Sequence, residues 1–244
     1  MDMKVYAVGI GPGEPAQMTR HAGDVLSACD VIVGYGVYVD LVRVVYPDKE
    51  YITTPMKKET ERCRIALEQA AAGRAVAVVC SGDAGVYGMA GLMIELTREF
   101  PGVTVEVVAG VTAALSGGAV LGAPLAHDFA VISLSDLLTP WELIEKRLEC
   151  AAMGDFAICL YNPSSKKRHG YLKEACGILL QYQKPDTVCG IVKNIGREGE
   201  KMEVTTLARL ADTAVDMFTT VFIGNSMTEE VDGRMVTPRG YRHG

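Results

Sequence analysis

Short apolar runs rich in β-branched residues alternate along this chain with longer stretches whose apolar residues recur at helical spacing. The short runs predict eight β-strands, at residues 4–10, 31–34, 75–80, 103–108, 130–134, 156–161, 188–192 and 221–224. The clearest helix is predicted over residues 59–72, where apolar residues share one face and Gly73 follows. A second helix is predicted from Trp141. This alternation favours an α/β fold with largely parallel strand pairing.

The small-residue segment 117–124 interrupts the alternation, and the pattern restarts after it. No repeat, low-complexity tract or long linker separates the two halves. The chain is therefore predicted to form two α/β lobes that share an interface, an N-terminal lobe over residues 1–116 and a C-terminal lobe over residues 117–244.

The composition describes a globular protein, because 49% of the 244 residues are hydrophobic and 22% are charged. No run approaches the roughly 18 apolar residues of a membrane span, and the first residues do not resemble a signal peptide, so a cytoplasmic location without membrane attachment is expected. The net charge of -6 argues against a nucleic-acid partner. The seven cysteines include no CxxC pair and the four histidines are scattered, so neither disulfides nor a bound metal is expected.

The first motif with a chemical interpretation is the glycine-rich sequence VGIGPG at residues 8–13, which ends a predicted strand. Its glycines would let a ligand approach the backbone closely. It is not a dinucleotide fingerprint, because the sixth position of GxGxxG, counted from Gly9, is Glu14. A plain tight turn is the alternative interpretation.

Two further glycine-rich stretches follow predicted strands. SGDAGVYGMA at residues 81–90 places a carboxylate, Asp83, where ligands of open α/β sheets bind. The alternative is that Asp83 caps the next helix. VAGVTAA at residues 108–114 offers the Thr112 hydroxyl and small side chains, against which a flat ring such as adenine fits, although helix packing explains it equally well.

A fourth motif, LYNPSSKKR at residues 160–168, ends a predicted strand with an aromatic residue and a polar turn. Three consecutive cations follow, Lys166, Lys167 and Arg168. In an acidic protein these cations are the best candidates for an anion contact. A solvated surface run is the alternative.

Together these motifs resemble the tetrapyrrole methylases, and in particular the branch that methylates and contracts the ring of corrin precursors in cobalamin biosynthesis. The matching segments cover nearly the whole chain in order, namely VGIGPG with Thr19, SGDAGVYGMA, VVAGVTAA, LGAPLAHDFAVISLSDLLTPW, LYNPSS and TPRGY. Ala109 departs from the pattern, since many members have proline there. The resemblance implies a homodimer of two-lobed class III methyltransferase subunits, with S-adenosylmethionine in the cleft between the lobes and the tetrapyrrole in a trough of the N-terminal lobe.

The resemblance also implies roles for particular residues. It places the cofactor against seven positions, Gly82, Asp83, Val86, Thr112, Ala113, Leu160 and Tyr161. It places Gly11, Pro12 and Gly13 on the substrate side, with the cations of residues 166–168 meeting the carboxylates of the tetrapyrrole. Ring contraction requires proton transfers, and the candidate carriers are His127, Asp128, Asp136 and also Asp83.

Three alternatives stay open at this point. Another methylase of the same fold would act on ribosomal RNA or on a protein, and its binding region would then be basic. A nicotinamide-dependent oxidoreductase would need the intact fingerprint that VGIGPG lacks. A sensor without catalytic activity would keep only a binding cleft. The sequence also leaves open whether the tetrapyrrole contains cobalt.

Overall fold

The computed structural model describes residues 3–164 and 170–241. The chain divides into two compact units, Met1–Ala113 and Ala114–Gly244. The sequence-based boundary after residue 116 falls inside a helix, Ala113–Leu121, that begins at the last residue of the first unit. The functions assigned to the two predicted lobes stay predictions.

The first unit is a five-stranded parallel sheet with helices on both faces. Its strands are β1 (Met3–Gly9), β2 (Val31–Tyr35), β3 (Glu50–Thr54), β4 (Val76–Cys80) and β5 (Val103–Val108). Its helices are α1 (Arg20–Ala28), α2 (Gly36–Arg43), α3 (Glu59–Ala71) and α4 (Ala90–Leu96), with short 3-10 turns at Pro15–Gln17 and Thr97–Glu99. The strands pair in the order β3-β2-β4-β1-β5, and every pairing is parallel.

Two hydrophobic cores lie on opposite faces of this sheet. Val76 and Val78 of β4 pack in the core formed with α3 and α4, whereas Ala77 and Val79 pack in the core formed with α1 and α2. Successive side chains of a strand point to opposite faces. The buried part of a central strand is therefore apolar on both faces, which is why apolar runs predict β4 and residues 5–9 of β1 correctly.

The second unit contains a larger mixed sheet and a small one. Its strands are β6 (Gly122–Ala123), β7 (Phe129–Ser133), β8 (Ala157–Tyr161), β9 (Val188–Lys193), β10 (Lys201–Thr206), β11 (Thr219–Ile223), β12 (Glu229–Val231) and β13 (Arg234–Val236). Its helices are α5 (Ala113–Leu121), α6 (Trp141–Met153), α7 (Tyr171–Leu179) and α8 (Leu207–Leu210). The larger sheet has the order β10-β9-β11-β8-β7 and the smaller one the order β12-β13-β6.

The prediction of largely parallel pairing is wrong for the second unit. There β7 and β8 are parallel, whereas β11 is antiparallel to β8 and β9, and β9 is antiparallel to β10. The link between β9 and β10, residues 194–200, is too short for the crossover of about a dozen residues that parallel neighbours need. Hydrophobic periodicity reports burial and not strand direction, so the pattern could not reveal this difference.

The eight predicted strands all correspond to observed strands, and the two predicted helices correspond to α3 and α6. The prediction missed five strands: β6, β12 and β13 form the small sheet, and β3 and β10 lie at the edges of the two larger sheets. The sequences of β3 and β10, EYITT and KMEVTT, are mostly polar, because an edge strand exposes much of its surface to water. No helix in the described ranges is long and apolar enough to cross a lipid bilayer.

Candidate cofactor and substrate site

Backbone hydrogen bonds join the carboxyl ends of β1 and β4. The Ile10 N–H donates to the Cys80 carbonyl at 2.9 Å. Gly11 and Gly82 form two hydrogen bonds with each other. The Gly11 N–H donates to the Gly82 carbonyl at 3.0 Å, and the Gly82 N–H donates to the Gly11 carbonyl at 2.7 Å. Their φ angles are 72° and 70°, a region that residues with a Cβ adopt only at a cost. The motifs VGIGPG and SGDAGVYGMA therefore form one continuous structure.

The backbones at three strand ends approach too closely for any side chain. A Cβ added to Gly9 would lie 2.7 Å from the Gly110 nitrogen and 2.7 Å from the Gly82 carbonyl oxygen. A Cβ added to Gly110 would collide with the backbones of Gly82 and Gly9. The ends of β1, β4 and β5 thus present bare backbone at the edge where open α/β sheets bind ligands.

Asp83 holds the loops after β4 and β5 together. Its Oδ1 accepts hydrogen bonds from the Gly85 N–H at 2.7 Å and the Val86 N–H at 3.1 Å, and its Oδ2 accepts one from the Gly110 N–H at 2.9 Å. Asp83 does not cap α4, because the N-cap of that helix is Met89, which makes no side-chain capping bond. Asp83 therefore shapes the loops, and its direct contact with a cofactor stays a prediction.

Thr19 fixes the segment that follows VGIGPG. Its hydroxyl accepts a bond of 3.2 Å from the Ala22 N–H as the N-cap of α1 and donates one of 3.1 Å to the Ala109 carbonyl. The residue that departs from the family pattern, Ala109, thus contributes a backbone oxygen that proline would also have. Within VGIGPG, Pro12 is buried and Gly13 is half-buried, and their contact with the substrate stays a prediction.

Three predicted cofactor residues of the first unit lie close together. A Cβ built on Gly82 would lie 3.5 Å from the Thr112 Cα and 3.8 Å from the Ala113 nitrogen. Val86 is joined to the same cluster through Asp83. Sequence positions about thirty residues apart therefore meet, as the parallel pairing of β1 with β4 and β5 requires.

Leu160 and Tyr161 lie at the end of β8 in the second unit. The Leu160 side chain is fully buried in the hydrophobic core, so a contact with a ligand would use its backbone. The Tyr161 hydroxyl accepts a bond of 2.6 Å from the Ala114 N–H, one of the N–H groups that the first turn of α5 leaves unpaired. The predicted substrate cations Lys166, Lys167 and Arg168 lie outside the described residues.

The candidate proton carriers make different local contacts. The Nδ1 atom of His127 accepts a bond of 2.9 Å from the Asp128 N–H and lies 3.4 Å from an Asp128 carboxylate oxygen. Asp136 accepts a bond of 2.7 Å from the Tyr171 hydroxyl, and the Tyr171 ring stacks on Trp141. The structure therefore pairs His127 with Asp128 and Asp136 with Tyr171.

The thiols near the carboxyl edge of the first sheet are neutral at physiological pH. Burial raises the pKa of Cys80, the last residue of β4, to about 11, and that of Cys63 on α3 to about 12. Neither thiol therefore offers a thiolate nucleophile. Among residues 3–164 and 170–241, no group of three His, Cys, Asp or Glu side chains is arranged to hold a metal ion.

Arg62 is a residue near this edge whose burial the sequence does not predict. It lies on α3, its side chain is buried, and it bonds to the end of β3 and to Met89 at the end of SGDAGVYGMA. In the sequence it looks like one more charge on an exposed helix face. Its position directly before Cys63, which begins the apolar face, is the one signal that could have indicated burial.

A family model described as Tetrapyrrole (Corrin/Porphyrin) Methylases matches residues 4–211 of this chain. The chain belongs to this family, which confirms the resemblance found in the motifs. The protein is therefore a methylase with the α/β fold of that family.

Individual relatives show which methylases within the family this chain resembles. The probable cobalt-factor III C(17)-methyltransferase of Salmonella typhimurium is 48% identical over 96% of this chain and 98% of its own length. The precorrin-3B C(17)-methyltransferase of a Sinorhizobium species is 38% identical over 97% of this chain and 96% of its own length. The crystal structure of the methyltransferase CobJ matches with a TM-score of 0.89 at 36% identity, covering 96% of this chain and 99% of that chain.

A more distant structure, a uroporphyrin-III C-methyltransferase from Thermus thermophilus complexed with S-adenosylhomocysteine, has a TM-score of 0.70 at 24% identity. It covers 91% of this chain and 97% of its own. At that identity the likeness concerns the fold alone.

Proposed function

We propose that this protein transfers a methyl group from S-adenosylmethionine to carbon 17 of a corrin precursor and contracts the ring of that precursor, as a step of cobalamin biosynthesis. The observation that supports this most directly is the similarity, over nearly the full chain, to relatives named for methylation at that carbon. Membership of a methylase family favours methyl transfer over a nicotinamide-dependent oxidation.

The carboxyl edge of the first sheet fits such a cofactor. S-adenosylmethionine supplies an electrophilic methyl group on a sulfonium, so the protein has to bind and orient rather than to provide a covalent nucleophile. A flat adenosine can approach bare backbone at Gly82, beside Thr112 and Ala113, because no Cβ fills that space. Asp83 keeps the loops in that arrangement through its three backbone bonds. Leu160 and Tyr161 belong to the proposed set on the family resemblance alone.

Ring contraction, in which one bridging carbon is lost to an acetyl substituent, needs groups that give and take protons. We assign these transfers to His127 and Asp136 as the proposed carriers. His127 exposes 41% of its side chain, so it is accessible to a substrate. The Tyr171 hydroxyl fixes one carboxylate oxygen of Asp136 and leaves the orientation of that carboxylate defined. Asp128 would orient His127 through the bond to Nδ1.

Cobalt-factor III is the substrate we propose, because the relative named for it is 48% identical, against 38% for the relative named for precorrin-3B. The cobalt belongs to the substrate and needs no site of its own on the protein. Lys166, Lys167 and Arg168 remain the proposed contacts for its carboxylates. A homodimer and a cytoplasmic location are further parts of the proposal that rest on the resemblance and the sequence.

The test is to incubate the purified protein with methyl-labelled S-adenosylmethionine and either cobalt-factor III or precorrin-3B, and to follow label and mass in the tetrapyrrole fraction. We expect one labelled methyl group per product molecule, with faster turnover of cobalt-factor III. Parallel incubations with ribosomal RNA and with elongation factor 2 serve as controls. Label in either control but in neither tetrapyrrole would contradict the proposal and favour another methylase of the same fold.

A further inference from the structure

Arg62 is a buried cation at the carboxyl edge of the first sheet, with only 3% of its surface exposed. Its Nη2 donates to the Thr54 carbonyl at 3.4 Å and to the Pro55 carbonyl at 3.0 Å. Its Nη1 donates to the Met89 sulfur at 3.4 Å. One side chain thus joins the loop after β3 to the end of SGDAGVYGMA, which follows β4.

The positive charge of Arg62 is not neutralised within the described ranges of the chain, where no acidic side chain forms an ion pair with it. Among the residues that the structure describes, the buried Nε of Arg62 and the buried hydroxyl oxygen of Thr54 have no hydrogen-bond partner. Buried charges are normally paired, because removing an ion from water is costly. The guanidinium of Arg62 is buried without a carboxylate partner among residues 3–164 and 170–241, which points to an anionic group of a ligand as the missing partner.

The loop that covers Arg62 contains two neighbouring lysines in different situations. Lys58 forms an ion pair of 3.0 Å with Glu61. Lys57 is exposed and, among the residues that the structure describes, its ammonium group has no carboxylate within ion-pair distance. The backbone of Lys57 is in the left-handed region, with φ of 67°, and its N–H donates to a Glu59 carboxylate oxygen at 3.2 Å. The backbone of the turn that carries Lys57 is thus held by this conformation and by this hydrogen bond.

We propose that Lys57 and Arg62 form a recognition element for a carboxylate side chain of the tetrapyrrole. Lys57 makes the contact, and Arg62 is a positioning residue that holds the loop at Thr54 and Pro55 and adds its unneutralised charge through a medium of low dielectric. This inference rests on the proposed function and names the group of the substrate that is recognised. Its location after β3 matches the edge of the sheet where α/β proteins bind ligands.

The exposed lysines give a matched pair of variants. Lys57→Gln and Lys58→Gln change the charge equally at neighbouring positions, but only Lys58 is already neutralised, by Glu61. Titration of each protein with cobalt-factor III, followed by its absorbance, measures the dissociation constant. We expect Lys57→Gln to raise it about two- to fivefold, the range of one exposed ion pair, and Lys58→Gln to change it less than twofold. Equal effects of the two substitutions would overturn the proposal.

Two substitutions of Arg62 separate its charge from its bonds. Arg62→Met removes both, and we expect about tenfold weaker binding of cobalt-factor III. Arg62→Lys keeps the charge but not the planar fork, so we expect it to recover part of the affinity that Arg62→Met loses. Equal affinities of the two variants would show that the charge of Arg62 takes no part in recognition and would overturn its role. If Arg62→Met fails to fold, the two lysine variants decide the question alone.

Wild-type controls distinguish this inference from the proposed function. The same preparations are assayed for S-adenosylhomocysteine binding and for methyl transfer to cobalt-factor III. A wild type that neither binds nor methylates the tetrapyrrole removes the proposed function, and the inference falls with it. A wild type that methylates it, together with Lys57 and Arg62 variants that bind it as tightly as the wild type does, overturns the inference alone.

Discussion

Asp83→Asn is the substitution that tests the architecture of the proposed cofactor site most sharply. The carboxylate accepts two N–H groups on Oδ1 and the Gly110 N–H on Oδ2. An asparagine that keeps its carbonyl toward Gly85 and Val86 turns its NH2 group toward the Gly110 N–H, so two donors face each other. The opposite orientation loses two bonds instead of one. No orientation of the amide can restore the arrangement.

The magnitude follows from the number of bonds lost. A hydrogen bond to a charged group contributes about 1.5–3 kcal/mol, and the partly exposed site favours the lower half of that range. A loss of about 2 kcal/mol lowers the Tm of a chain of this size by about 4–8 °C. Because the loops after β4 and β5 are no longer joined, the affinity for S-adenosylhomocysteine should fall at least about tenfold, equivalent to about 1.4 kcal/mol.

The assays are calorimetric titration with S-adenosylhomocysteine and thermal unfolding, with Asp30→Asn as the control. Asp30 lies near the opposite edge of the same sheet and accepts one backbone bond, of 2.9 Å from the Ala75 N–H, which an amide carbonyl can also accept. We expect Asp30→Asn to leave both the Tm and the affinity nearly unchanged. If Asp83→Asn binds S-adenosylhomocysteine as the wild type does, Asp83 does not organise a cofactor site.

Gly82→Ala and Gly73→Ala impose a similar backbone cost, because φ is +70° and +85° at the two positions, but only Gly82 lies against Thr112. Calorimetry should show weakened S-adenosylhomocysteine binding for Gly82→Ala alone, and an equal loss in both variants would refute the site. An aromatic disulfide reagent should modify one thiol of the native protein, that of the exposed Cys150. Burial raises the pKa of the other six thiols, so they should not react. Reaction of a second thiol before the protein unfolds would contradict this prediction. Light scattering should give twice the chain mass of 26.2 kDa, and a mass near 26.2 kDa would contradict the proposed dimer.

The sequence predicts much of the first unit because strand burial and backbone turns leave signals in short stretches of the sequence. The central strands are buried on both faces, so β4 and residues 5–9 of β1 appear as unbroken apolar runs. The glycines of VGIGPG and SGDAGVYGMA mark places where the backbone needs positive φ or close approach. Parallel pairing then brings the carboxyl ends of these strands to one edge, which is why motifs far apart in sequence could be expected to cooperate.

The interactions that connect these motifs have no local signal. Asp83 is an ordinary helix-capping residue in sequence, and its bond to Gly110 depends on the register of β1 with β4 and β5. Arg62 stands in a charged stretch of α3, and only packing shows that it is buried. In the second unit, strand direction depends on the length of connections such as 194–200, which hydrophobic periodicity does not report.

The central claim is that this protein methylates carbon 17 of a corrin precursor and contracts the ring. Its most direct test is a carbon-13 NMR spectrum of the product formed from cobalt-factor III and S-adenosylmethionine labelled in the methyl group. We expect a single enriched methyl resonance at carbon 17 of a macrocycle that has lost one bridging carbon to an acetyl substituent. Enrichment at another carbon, or at carbon 17 of an uncontracted ring, would contradict it.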